Sequence, residues 1–167
     1  MIWHQGWTRD LRLTIFVLWA FCSVSCMTIE PEPLEADPYS TVEAGKALYL
    51  VSCSACHQSD GKGLEGVAPP LFGTRWAHES EERLARIILQ GLRGPITVAG
   101  KEYNLEMPPM GFFKDHEVAE ILTYVRTTWG NSSSSTDVNT IERIRAQTSD
   151  RSDSWTVEEL FDEGVDY

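Results

Sequence analysis

The chain has 167 residues, 42% of them hydrophobic, with a formal net charge of −11 and four cysteines. That length suits one modest domain plus tails, and the acidity argues against a nucleic-acid role. Most of the charge serves solubility, and part of it suits the steering of a basic partner.

Arg9 and Arg12 precede an apolar stretch from Leu13 to Cys22, followed by small residues at Ser23 and Ser25. Basic residues, a short apolar core and small residues, in that order, match a secretory signal, here residues 1–25. The apolar run is shorter than the roughly 20 residues of a membrane-spanning helix, and a short anchor is the competing reading. Ser23-Val24-Ser25-Cys26 resembles a bacterial lipoprotein cleavage box, whose cysteine becomes the lipidated first residue, although Ser23 stands where leucine is usual. Lipidation of Cys26 and ordinary cleavage nearby both stay open. Residues 26–39, rich in Pro and acidic side chains from Glu30 to Pro38, read as an extended tether.

Three helical patterns follow in residues 40–131. The first begins near Ser40, where Ser40 and Glu43 have capping-box spacing. Ala44, Ala47, Leu48 and Val51 give it one apolar face. The second begins near Ser80 with Glu81 and Glu82 at the positive end of the helix dipole; Leu84, Ile87 and Ile88 are its buried stripe and Gly91 its stop. The third begins near Asp115, read as the N-cap, with Val118, Ile121, Leu122, Val125 and Trp129 as its apolar face and Gly130-Asn131 as its stop. Between them lie Gly- and Pro-rich loops, and Ile96-Thr97-Val98 and Glu102-Tyr103 around Ala99-Gly100-Lys101 predict a small hairpin. Residues 132–167 open on a four-serine linker. Val138, Ile141 and Ile144 predict one short helix, and Trp155, Leu160 and Phe161 stand as isolated apolar points in an acidic tail. The tail is either disordered or docked, on the domain or on a partner.

The first helix leads straight into Cys53-Ser54-Ala55-Cys56-His57, a C-x-x-C-H element, the attachment signature of a c-type haem. Its two thiols add across the two vinyl groups on one porphyrin edge, and the adjoining histidine is held against one face, where it can bind iron. A thiol redox pair or half a zinc site are the competing readings. They are weaker, because no second Cys/His pair stands at zinc spacing and no βαβ pattern surrounds the motif. Cys22 and Cys26 lie in a different setting, so a disulfide framework over all four cysteines fits poorly. A carrier haem usually takes a second axial ligand, and histidine with methionine raises the reduction potential. Met107-Pro108-Pro109-Met110 supplies two candidates, held in a stiff loop, while Met1 and Met27 lie in or near the export segment. A lone methionine is more often core filler, so one of the two is expected to be. His4, His78 and His116 read as exposed.

From Ser40 to Asn131 the chain resembles a class I c-type cytochrome, especially the bacterial monohaem domains that accompany periplasmic oxidoreductases. Gly45 and Tyr49 match the glycine and aromatic of the family's first helix, where it crosses the last helix, Cys53, Cys56 and His57 its attachment motif, Pro69-Pro70-Leu71-Phe72-Gly73 its P-x-L-x-G element, and Tyr124 and Trp129 the aromatics of its last helix. Gly94 to Val98 and Tyr103 to Pro108 resemble the distal stretch of the subgroup. The resemblance implies an all-α cytochrome c fold, three main helices and Gly/Pro-rich loops around one covalent haem. It implies that the Pro69 carbonyl orients His57 and that Met107, before the first proline, is the distal ligand. Gln58 replaces a glycine common after the histidine, a departure expected to matter little. Lys114 stands where Ser or Thr is common, with Asp115 as substitute cap.

The expected function is single-electron transfer, without bond-making catalysis, as a carrier or as the haem subunit of a dehydrogenase or respiratory complex, in the periplasm or on the outer face of the bacterial inner membrane. The partners expected are a donor dehydrogenase and an acceptor oxidase or reductase, with membrane association through a lipidated Cys26. The alternative is a haem-based small-ligand sensor or peroxidase-like enzyme, disfavoured because no distal histidine is evident.

Overall fold

The computed structural model describes Met1, residues 38–78 and residues 80–162. The export signal, Cys22, Cys26, His4 and most of the tether lie outside the described residues. The described elements are α1 (Pro38–Ser52), α2 (Ser54–His57), α3 (Arg75–His78), α4 (Glu81–Gln90), β1 (Ile96–Val98), β2 (Lys101–Tyr103), α5 (Asp115–Thr127), α6 (Val138–Gln147) and α7 (Val157–Asp162). No helix among the described residues is long and apolar enough to cross a membrane.

α1, α4 and α5 are the three expected helices. α1 starts at Pro38, two residues before the sequence-based start, consistent with proline's preference for the first turn. Its buried face is not the expected Ala44–Ala47–Leu48–Val51 stripe. Val51 is 80% exposed, while Gly45 and Tyr49 are buried. The reason is the crossing with α5: a Cβ at Gly45 would run into the Glu120 carbonyl, so only glycine admits this approach. Tyr49 then packs between Tyr124 and Trp129, with ring centroids 5.3 and 5.2 Å away.

α4 follows its expected bounds, from Ser80 at the N-cap to Gly91 at the C-cap. It is buried well beyond its apolar stripe, including Arg83 and Arg86. α5 begins after Lys114 rather than at an Asp115 cap. The Lys114 amide donates to the Glu117 carboxylate at 2.8 Å, and Asp115 instead pairs with Arg145 at 2.6 Å. A carboxylate one residue inside the helix still complements the dipole, but here a long-range ion pair claims it. β1 and β2 form the expected antiparallel hairpin, Ile96 opposite Tyr103, turning through Ala99 and Gly100 at φ 51° and 77°. Two consecutive residues of positive φ are what a tight two-residue hairpin demands.

The tail docks on the domain. α6 begins at an Asp137 cap, whose carboxylate accepts from the Asn139 amide at 2.9 Å. It lays Ile141 and Ile144 into the core shared with Leu84, Leu89, Val118 and Leu122 of α4 and α5. Trp155 and Leu160 join a second cluster with Ile87, Leu92, Ile96 and Tyr103. The Arg83 guanidinium lies 4.2 Å from the Phe161 ring centroid. The apolar points that looked isolated along the chain thus cover the outer side of α4, which explains that helix's deep burial.

Candidate functional site

α1, α4 and α5, the loop after α2 and the segments around Leu92 and Met107 enclose one apolar cleft. Tyr49 and Cys53 enter it from α1 and its end, and His57 from α2. Pro69, Pro70 and Leu71 line it together with Leu84, Ile87 and Ile88 of α4, Ile96 and Val98 of β1, Ile121, Leu122 and Val125 of α5, and Trp76 and Leu92. Met107 lines the same cleft. Met110 packs with the α4–α5–α6 core, where its amide donates to the Ile88 carbonyl at 2.8 Å.

Tight local turns set the C-x-x-C-H geometry. The Cys53 amide ends α1 by donating to the Tyr49 carbonyl at 2.8 Å, and the His57 amide donates to the Cys53 carbonyl at 2.9 Å. Cys53 is half-buried at the cleft and Cys56 is exposed; neither is in a disulfide. Burial, and then neighbouring Cys56, pushes the Cys53 thiol up to about 11. His57 is buried, its Nδ1 lying 2.9 Å from the Pro69 carbonyl. Burial holds the imidazole below its ordinary pKa, with the Pro69 bond opposing. In the neutral ring Nδ1–H donates to Pro69, which leaves Nε2 as the nitrogen with a free lone pair.

The loop that carries Pro69 is itself pinned. The Leu71 and Phe72 amides donate to the Gly61 carbonyl at 2.7 and 2.9 Å. Asn131, buried after α5, accepts the Gly73 amide at 2.9 Å and donates to the Val125 and Leu71 carbonyls at 2.7 and 3.2 Å. Sequence reading took Asn131 only as a helix stop. Its side chain reaches a loop some sixty positions away, and no local pattern announces such a reach. Gln58 was also underestimated. It sits at φ 61°, ψ 158°, a region essentially reserved for glycine, and the Tyr49 hydroxyl donates to its carbonyl at 2.7 Å.

His78 and His116 are exposed, His78 Nδ1 lying 3.0 Å from Ser133 Oγ. Among the described residues no group of three or more His, Cys, Asp or Glu side chains is placed to hold a metal by itself. The donors in the cleft are a thiol, an imidazole and a thioether, set in an otherwise apolar lining. That set fits a flat apolar cofactor with a soft iron far better than a hydrated metal ion.

A helical domain with these donors around one apolar cleft defines a haem-carrying electron-transfer protein. The chain belongs to the cytochrome c family, whose profile matches residues 42–129. It is similar to cytochrome c-552 of Thermus thermophilus, 36% identical over 98 residues, which cover 54% of this chain and 72% of the relative. It is also similar to the gluconate 2-dehydrogenase cytochrome c subunit of Pantoea cypripedii, 31% identical over 100 residues (56% of this chain, 22% of the relative). The fructose dehydrogenase cytochrome subunit of Gluconobacter japonicus is 31% identical over 110 residues (61% and 22%). The match thus spans most of a small cytochrome but about a fifth of the dehydrogenase subunits. The cofactor is a covalent haem c with its iron, and the function is single-electron transfer to and from redox partners.

Proposed function

We propose that Cys53 and Cys56 tether the haem through thioether bonds, that His57 Nε2 is the proximal iron ligand and that Met107 is the distal one. The observation that carries this is the meeting of His57 and Met107, far apart in sequence, in one apolar cleft beside Cys53. A haem held by these residues would supply a ferrous–ferric couple, and with it the transfer of one electron. The protein's part is positional. Pro69 holds the imidazole in one tautomer and raises its basicity, as a hydrogen-bond partner behind a ligand does. The apolar walls exclude water, which limits the solvent reorganisation that accompanies a change of iron charge. With His57 and Met107 both holding the iron, the chain would leave it no free position at which to bind a substrate.

The domain organisation proposed is an export signal over residues 1–25, a tether over 26–39, the haem domain over 40–131 and an extension over 132–167. The protein works outside the cytoplasm, in the periplasm or on the outer face of the inner membrane, anchored through Cys26 where that residue is lipidated. Its donor is a dehydrogenase, a reading supported by the dehydrogenase cytochrome subunits among its relatives. Its acceptor is an oxidase or reductase.

The test is the full chain expressed with a haem-attachment system. Its mass includes one haem, its pyridine haemochrome spectrum is that of a c-type haem, and Met107→Ala abolishes the thioether–iron charge-transfer band and lowers the potential. A Met107→Ala protein with unchanged spectrum and potential overturns the ligand set.

A further inference from the structure

The segment carrying Met107 is poorly held by its own neighbours. Glu106, Pro108 and Pro109 on either side of it are exposed. Its backbone is paired with Leu92: the Met107 amide donates to the Leu92 carbonyl at 2.8 Å and the Leu92 amide donates back at 3.1 Å. An isolated two-stranded pairing of this kind is marginal in water, and a third strand is what makes such a ribbon stable.

The extension supplies that third strand. Leu92 forms an antiparallel bridge with Met107 on one edge and a parallel bridge with Trp155 on the other. The Trp155 amide donates to the Gly91 carbonyl at 3.1 Å, and the Arg93 amide donates to the Trp155 carbonyl at 2.8 Å. A Cβ on Gly91 would strike the Met107 carbonyl, so the ribbon closes only on glycine there. The side chains add a second tie. The Ser154 hydroxyl donates to the Glu106 carboxylate at 2.6 Å, next to Met107 itself. Trp155 is locked in turn, Nε1 donating to Gln90 at 3.2 Å and the Arg151 guanidinium lying 3.6 Å from its ring centroid.

We propose that Ser154 and Trp155 are positioning residues for the distal ligand: the extension keeps Met107 seated at the cleft by bracing Leu92 and Glu106. The proposal rests on Met107 being the ligand. Its consequence is that the extension, through the Leu92 backbone and the Glu106 side chain, sets how readily an outside ligand displaces the methionine.

The test uses the ferric, haem-loaded full chain and titrates it with imidazole, which binds iron when the methionine leaves. The wild type first has to show the thioether–iron band, which isolates the ligand reading from the brace. Ser154→Ala removes one charge-assisted bond and is expected to tighten imidazole binding about ten-fold. Trp155→Ala, if it folds, is expected to exceed that. Val118→Ala, a core change on α5 at a residue with no hydrogen bond to the ribbon, lowers global stability and is expected to leave imidazole affinity within about two-fold. In the same proteins, amide exchange at Met107 and Leu92 is expected to speed up in Ser154→Ala but not in Val118→Ala. Equal effects in Ser154→Ala and Val118→Ala, or no effect in Ser154→Ala on either reading, overturn the brace. A wild type without the thioether band overturns the ligand reading instead, and the exchange data then judge the brace alone.

Discussion

Removing the Asn131 side chain is the sharpest test of how the proximal loop is held. Asn131→Ala deletes one acceptor for Gly73 and two donations, to Val125 and Leu71. All three lie at a residue only 4% exposed, so water does not readily replace them. At about 1 kcal/mol net per bond the loss is about 3 kcal/mol. For a domain of this size that corresponds to a fall of roughly 12 °C in Tm. Asn131→Asp keeps the acceptor but faces two carbonyl oxygens with a negative charge, so it is expected to cost at least as much as alanine. The assay is denaturant unfolding of the haem-loaded protein, followed at the haem absorbance and by far-ultraviolet circular dichroism. A second readout is the reduction potential. A looser Pro69 carbonyl makes His57 a weaker donor, and on the ligand set proposed above the potential rises. A cost under about 1 kcal/mol for Asn131→Ala refutes the reasoning, because it would mean that the three bonds are replaced by solvent at no penalty.

Two further outcomes are expected. Gln58→Gly relieves a backbone held at φ 61° and is predicted to stabilise the folded protein by about 1 kcal/mol in the same unfolding assay, net of the added chain entropy. The Arg151 guanidinium, then the Thr156 amide, holds the Glu159 carboxyl below its ordinary value. A carboxyl with a depressed folded pKa contributes its stability above its unfolded value of about 4.5 and loses it as pH falls through the folded one. Glu159→Gln is therefore expected to flatten the acid limb of the stability–pH curve below about pH 4.5 while leaving haem absorbance unchanged at neutral pH.

The chemistry of the site was legible because it is written in near neighbours. Cys53, Cys56 and His57 occupy one turn, and their spacing, with no second Cys/His pair and no βαβ pattern around it, points to a porphyrin edge. The stripes of α4 and α5 and the Ala99-Gly100 turn were legible for the same reason: each expresses a preference that residues a few positions apart impose on the backbone. Chain pattern failed where a contact partner was distant. Apolar periodicity alone misplaces the buried face of α1 on Ala47 and Val51, whereas the crossing with α5 falls on Gly45 and Tyr49, the pair the resemblance had set there. Asp115 was read as a cap because Arg145, its ion-pair partner, lies thirty residues on. Gln58 looked harmless because a residue type does not disclose its φ.

By itself, then, the sequence determined the cofactor, the helices that surround it and the carrier role that follows. The resemblance already singled out Met107 over Met110, and Met107 is the one that lines the cleft; only the tertiary structure decided that Asn131 ties the proximal loop and that the acidic tail is part of the fold. The physical reason is the range of the forces involved. Thiol spacing and helical periodicity act within a turn or two of chain, whereas the burial of Trp155, Leu160 and Ile144 depends on apolar surface that α4 and α5 expose only once they have packed together.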